Sequence, residues 1–271
     1  MKKVILLILV SCLCNVNAET EQEKFKIKTG ADKFARIEYP ADGNIDLKEG
    51  TFELWFKIGF DPDRQPAITW FSPMTYLFVG KQKEMTVINL QSQYSYKRKL
   101  KKGVGNISGV MFKSVSGVLY EKLKDWKKGT WHLLAFTWKN EGTKCLVEIF
   151  VDGISQAKYD GETIDVLALE DDSVIQIGSF FFNSCYATVD AMRISMVART
   201  PEELKRSFTE GLIRDRFTLL LDNFDKIVVD ERDQNSVTTI TAEGKEGRII
   251  GAYRVVDGKF GKALKLHVVE E

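Results

Sequence analysis

Between Gly129 and Gly153 the sequence reads GTWHLLAFTWKNEGTKCLVEIFVDG, which leaves little freedom in how it can fold. Cys145, Val147, Ile149 and Val151 share one parity while Glu148 takes the other, the alternation of a half-buried strand. Trp131 to Trp138 is apolar at almost every position, so it belongs in the middle of a sheet covered on both faces. Lys139-Asn140-Glu141-Gly142 supplies a polar, glycine-containing turn between the two strands, and Asp152-Gly153 supplies a second turn. A chain organised around such a hairpin is built from antiparallel sheet.

The rest of the sequence extends that pattern. In Gly50 to Ile58, Phe52, Leu54, Phe56 and Ile58 fall on one face, and Glu53, Trp55 and Lys57 on the other. Further strands are expected at Lys24–Ile27, Phe34–Tyr39, Ser173–Gly178 and Thr188–Met196, with weaker ones at Thr75–Val79, Thr86–Leu90 and Val110–Lys113. In Thr188–Met196 the parity of Asp190, Met192, Ile194 and Met196 places the carboxylate toward the core. One helix stands apart: Thr200-Pro201-Glu202-Glu203 sets a capping hydroxyl before a proline at the first helical position. Leu204 and Phe208 share its inner face, and Gly211 can end it. The expected class is all-β, an antiparallel β-sandwich with one short helix near residues 201–210.

The first 18 residues are read separately. Lys2-Lys3, the apolar run Val4–Val10 and Val16-Asn17-Ala18 have the order of a secretory signal peptide cleaved before Glu19. The alternative is a lipoprotein signal, in which Leu9-Val10-Ser11-Cys12 is the lipobox and Cys12 the anchored residue. Either way the expected location is outside the cytoplasm: secreted, periplasmic or on the cell surface. No later segment is apolar enough to be a transmembrane helix. The leader holds two of the 39 basic residues and none of the 38 acidic ones, which leaves 37 against 38. That near balance argues against a dedicated nucleic-acid binder. One basic cluster, Lys97-Arg98-Lys99 with Lys101-Lys102, reads as a solvated loop or as a patch for acidic glycans or phosphates. Outside the leader only Cys145 and Cys185 remain, an even pair that suggests one disulfide in an oxidising compartment; two separate buried thiols are the alternative.

Six segments in order, GTFELWFKI (50–58), GTWHLLAFTW (129–138), VEIFVDG (147–153), VIQIGS (174–179), VDAMRIS (189–195) and ARTPEEL (198–204), resemble the laminin-G-like, concanavalin-A-like jelly-roll family of exported bacterial proteins. The resemblance runs from about Phe34 to Gly211, and the expected domain spans residues 19–213. It implies two curved antiparallel sheets packed face to face, in a family that mostly binds glycans or proteins and includes some enzymes and structural modules. Residues 214–271 are unexpected. Thr218 to Asp225 and Gly258 to Leu266 resemble the opening strands of such a domain, placed at the wrong end of the chain. Either a truncated second copy begins here or the tail completes the first sandwich, with Phe217–Asp222 filling a vacant edge.

Catalytic signatures are sparse. Hydrolases of the family carry paired carboxylates on alternate residues of one strand. Here Glu170-Asp171-Asp172 is contiguous, and Glu53 and Glu148 stand alone on their strands. His132, inside the central strand, reads as structural, and neither it nor His267 has the local signature of a triad or metal site. The resemblance implies a structural calcium near Asp190; Ala191 stands where a second acid is common, so Asp222 or Asp225 of the tail would have to supply the oxygen. Asp190 acting only as an acceptor of backbone N–H groups is the alternative. Glycan recognition needs aromatic faces beside polar groups, and Trp70, Tyr76, Tyr94 and Tyr96 lie in the loop-rich 60–100 region. The expectation is an exported, non-catalytic module binding a glycan or an extracellular protein. A glycan-processing enzyme and a purely structural module are its rivals.

Overall fold

The computed structural model describes residues 35–59, 76–79, 86–92, 105–111, 115–119, 127–162, 174–178, 187–229, 237–243 and 245–266. The strands in chain order are β1 (Arg36–Pro40), β2 (Glu49–Ile58), β3 (Tyr76–Val79), β4 (Thr86–Ser92), β5 (Gly105–Met111), β6 (Val115–Leu119), β7 (Trp131–Glu141), β8 (Lys144–Val151), β9 (Ile154–Glu162), β10 (Val174–Gly178) and β11 (Ala187–Ser195). Helix α1 (Pro201–Glu210) follows, then β12 (Thr218–Asp222), β13 (Ile227–Val229), β14 (Val237–Ile240), β15 (Glu246–Ile250), β16 (Arg254–Asp257) and β17 (Lys262–Lys265).

They form two antiparallel sheets. Sheet A runs β13-β14-β15-β1-β10-β3-β4-β5-β6, and sheet B runs β16-β17-β11-β2-β7-β8-β9, with β12 also on β11. The apolar parity of each strand faces the space between them. Ile37, Tyr39, Ile175, Ile177 and Ile249 from sheet A meet Phe52, Leu54, Phe56, Leu134, Phe136, Val189 and Met192 from sheet B in one core cluster.

The hairpin centred on β7 lies in the middle of sheet B, paired with β2 on one side and β8 on the other. Both strands extend further than the sequence pattern implies. Glu141 and Lys144 still pair, so the turn is Gly142-Thr143, with Gly142 at φ 71°. β7 is buried on both faces because α1 covers the outer one. Leu204 of the helix sits with Ala135 and Phe150, and Phe208 stacks on Trp55 at 5.5 Å and 20°. The helix begins where its sequence says. Thr200 Oγ1 accepts from the Glu203 N–H at 3.3 Å, while Glu203 Oε2 accepts from the Thr200 N–H at 2.8 Å.

The C-terminal strands are woven into both sheets. β12 pairs with the second half of β11 and β17 with its first half, while β15 pairs with β1. The handover between β12 and β17 coincides with a bulge in β11 between Val189 and Met192. Leu220, Phe224, Val237, Ile249, Leu264 and Leu266 enter the common core. At about 2 kcal/mol per buried side chain, losing them would cancel a stability of the usual size, roughly 5–15 kcal/mol. A chain ended after Gly211 is therefore expected to show no cooperative thermal transition by circular dichroism. A melting midpoint equal to that of the full chain would refute the integrated role of the tail.

Candidate functional site

The three aspartates singled out in the sequence all lie where the tail meets the sandwich. Asp222 is fully buried and accepts three hydrogen bonds. Oδ2 accepts from the Tyr39 hydroxyl at 2.7 Å; Oδ1 accepts from the Phe224 N–H at 2.7 Å and from Thr239 Oγ1 at 3.1 Å. Phe224 takes a left-handed φ of 56°, a conformation costly for a bulky residue and held here by that bond. Burial pushes the Asp222 carboxyl above its ordinary pKa against the pull of these donors, and burial likewise pushes the Tyr39 phenol well up.

Asp190 departs from its expected side. The bulge sets Asp190 and Ala191 together opposite Trp55, so the alternation breaks: Val189 and Met192 face the core, and Ala191 packs with Trp55. Met196 is 44% exposed. Asp190 Oδ2 accepts from the backbone N–H of Lys259 and, at 2.8 Å, from that of Phe260, and Asp225 Oδ1 accepts from the Lys262 N–H at 2.8 Å. Two carboxylates thus hold the Asp257–Lys262 turn. A Cβ on Gly258 would come within 2.8 Å of Asp190, and one on Gly261 within 2.4 Å of Asp225, so the turn needs both glycines. The turn lays Phe260 edge-on against Trp55 at 5.5 Å, with Lys259 Nζ 4.5 Å above the indole.

These geometries bear on calcium. Asp222 does not fit a calcium ligand, because three donor hydrogens already converge on its oxygens. Asp190 Oδ1 is buried without a hydrogen-bond partner, and neighbouring Asp225 helps burial to raise the Asp190 pKa. These two acids are the ones a cation could use, although among the described residues no group of three or more His, Cys, Asp or Glu side chains is spaced to hold a metal.

Other sequence candidates fall as follows. His132 Nδ1 lies 2.7 Å from Asp152 Oδ2, and Asp152 also accepts from the Leu133 N–H, so the pair anchors the β8–β9 turn. Glu53 is an ion-paired carboxylate. It is buried beneath α1, 2.6 Å from Arg193 Nη2 and 3.6 Å from Arg199 Nε. Arg193 continues to Ser207 Oγ and the Ile213 carbonyl, and Arg199 to Asp215, so the network fastens the helix and the segment after it. Cys145 stands in β8 opposite Asn140 and Gly161; Cys185 lies outside the described residues, as do Trp70, Tyr94, Tyr96 and His267. Tyr76 opens β3.

The outer face of sheet A carries an arrangement that sequence order conceals. Register places Val228, Thr238, Arg248, Glu38 and Gln176 side by side on five adjacent strands, each step about 4.8 Å. The neighbouring row runs Ile250, Arg36, Gly178 and Tyr76. Arg36 Nε donates to Glu38 Oε1 at 2.6 Å, and both side chains are half-buried, while Arg248 is exposed. Sheet B has the centre of its outer face beneath α1; sheet A presents the guanidinium and carboxylate groups of Arg36, Glu38 and Arg248.

The Asp222 geometry makes two stability predictions. Asp222→Ala leaves two hydroxyls and an N–H unpaired and should cost on the order of 3 kcal/mol. The raised carboxyl means that the folded chain keeps its proton to higher pH than the unfolded one. Its contribution is therefore fully present below the unfolded pKa and falls as pH rises through the folded value. Asp222→Asn does not titrate, so its stability relative to the parent should climb over that window in denaturant melts at several pH values. A flat difference would contradict the buried assignment.

A family profile described as the concanavalin A-like lectin/glucanases superfamily matches residues 31–205. No curated protein matches the chain. Among solved structures, a Bacteroides ovatus protein described as a "putative carbohydrate binding protein" aligns with TM-score 0.51 and 14% identity, over 85% of this chain and 57% of its own length. A heptameric SAP-like pentraxin from Limulus polyphemus aligns with TM-score 0.47 and 13% identity, over 69% and 82%. The receptor binding domain of botulinum neurotoxin C/D mosaic serotype aligns with TM-score 0.43 and 15% identity, over 76% and 51%. At such identities the likeness is one of fold. With the family match covering more than half of the chain, and two antiparallel sheets packed face to face beneath it, the chain belongs to the concanavalin A-like lectin/glucanase superfamily.

Proposed function

We propose that this protein is an exported, non-catalytic binding module that takes a glycan, or a protein partner, on the outer face of sheet A, at the cell surface or in the periplasm. The observation that carries the reading is the polar group of Arg36, Glu38 and Arg248, aligned across neighbouring strands where hydroxyl-rich ligands can be met by several groups at once. Tyr76 stands in the adjoining row, and the family affiliation supports a carbohydrate as the ligand class. Export rests on the leader pattern of residues 1–18, with anchoring at Cys12 as the variant form. The Cys145–Cys185 disulfide belongs to the same reading. Calcium enters it only through Asp190 and Asp225, the acids left with an oxygen to offer.

One observation favours a second reading. Glu246 lies two residues from Arg248 on β15, which puts it diagonal to Glu38 on the same face. Diagonal neighbours stand roughly 7–8 Å apart, a spacing from which two glutamate carboxyls can reach the separation of a glycoside hydrolase pair. A glycan array and a panel of hydrolase assays on the purified protein separate the two. Saturable binding without turnover, weakened by Arg36→Ala, is the expected result. Turnover abolished by Glu38→Gln would establish the enzyme instead, and silence in both assays would leave a structural module.

A further inference from the structure

The free edges of the two sheets are unequal. Sheet A ends in β13 and β6, and sheet B ends in β16 and β9. β13, β16 and β6 have three, four and five residues, the short edge strands that keep a monomer from pairing with its neighbours. β9 has nine, bonded to β8 along one side and to no described strand along the other. β6 approaches β9 where the two sheets meet at this end, yet shares no ladder with it. Helix α1 abuts the start of the strand, where a Cβ on Gly153 would stand 2.7 Å from the Lys205 Cα. Lys158 lies about 16 Å further along.

A long exposed edge usually carries a charge that discourages pairing, and Lys158 is such a charge. Asp160 follows two residues later, so both stand on the outer face of sheet B, and both are exposed. In register Lys158 is opposite Glu148, and Asp160 is opposite Leu146. Asp160 thus has an apolar neighbour on its own sheet and solvent on the other side. Two identical strands related by a two-fold axis pair antiparallel with one residue opposite its own copy. Residues equally distant on either side of it then face each other. With Tyr159 on the axis, Lys158 meets the partner's Asp160, and Asp160 meets the partner's Lys158. Each row reads Glu148, Lys158, the partner's Asp160 and the partner's Leu146, with the cation between two carboxylates. Moving the axis to Lys158 or to Asp160 sets like charges against each other, so the charges select one register. A formal net charge of +1 leaves little long-range repulsion between copies.

We infer that the free edge of β9 takes a second copy of this chain, paired antiparallel about Tyr159, which joins the two copies of sheet B into one continuous sheet. The inference goes beyond the binding function proposed above and does not depend on it. Because the axis stands perpendicular to the sheet, both copies turn the outer face of sheet A the same way. A ligand displayed in an array is then met at two points.

Sedimentation velocity of the purified full chain, from low to high micromolar concentration, tests the pairing. The chain is expected to pass from monomer to dimer. Lys158→Glu and Asp160→Lys should each raise the dimer dissociation constant about tenfold, because symmetry repeats every like-charge contact twice. Lys158→Glu also sets an acid against Glu148 within the chain, so Asp160→Lys, with Leu146 beside it, is the cleaner of the two. Mixed together, the two variants oppose an acid and a base at both contacts and should form a heterodimer close in affinity to the parent dimer. A chain that stays monomeric throughout would overturn the inference, as would a dimer that ignores both substitutions. A dimer weakened by each variant and not restored by mixing them would overturn the register about Tyr159.

Discussion

A carboxylate without water, Asp222, joins three strands that are far apart in the chain: β12, on which it sits, β1 through Tyr39, and β14 through Thr239. Apolar packing would let the tail strands lie against the sandwich in several registers, because dispersion and burial are not directional. A buried acceptor that must meet two hydroxyls and one N–H admits a single register, since any slip leaves polar groups unpaired in a low-dielectric interior. The left-handed Phe224 follows from the same demand. Its N–H has to turn back to Asp222 while its ring enters the core, and the backbone strain is offset by both gains.

The two outer faces of the sandwich have been given opposite treatments. On sheet B the outward-facing Glu53, Trp55, Leu133, Ala135, Ala191 and Arg193 are buried. Apolar members receive the helix and the Asp257–Lys262 turn; charged ones bind Arg, Ser and backbone groups of the segment after the helix. A carboxylate so enclosed is a fastening. On sheet A Arg36 and Glu38 stay partly accessible and Arg248 is exposed, and strands from widely separated parts of the chain meet there. Such a division leaves one face of the fold fastened and the other partly open to solvent.

How much of this could be read in advance depended on range. The Thr200-Pro201-Glu202-Glu203 start, the two-sided burial of Trp131–Trp138 and the alternation in Phe52–Ile58 are local patterns, and they appear in the structure as strands, cover and helix. Asp190 defeated the parity argument because a bulge is a backbone decision that alternation does not encode. The ion pair of Glu53 was hidden because its partner Arg193 is 140 residues away. The row of Arg248, Glu38 and Gln176 was invisible for the same reason: each residue sits unremarkably on its own strand, and only register brings them together. The tail showed recognisable opening strands, but which edges they join depends on what the sandwich leaves vacant, a property of the whole sheet.

β1 lies between β10 and β15, so Ile37 has Ile177 on one side and Ile249 on the other. During synthesis the earliest strand of the fold therefore waits for partners that emerge last. Contacts of such sequence separation form slowly. A nascent chain still missing its final strands holds sheet A in two disconnected parts and β11 with a bare edge. It stays open until those strands have been made. The strands between residues 246 and 266 are the ones that lock the molecule.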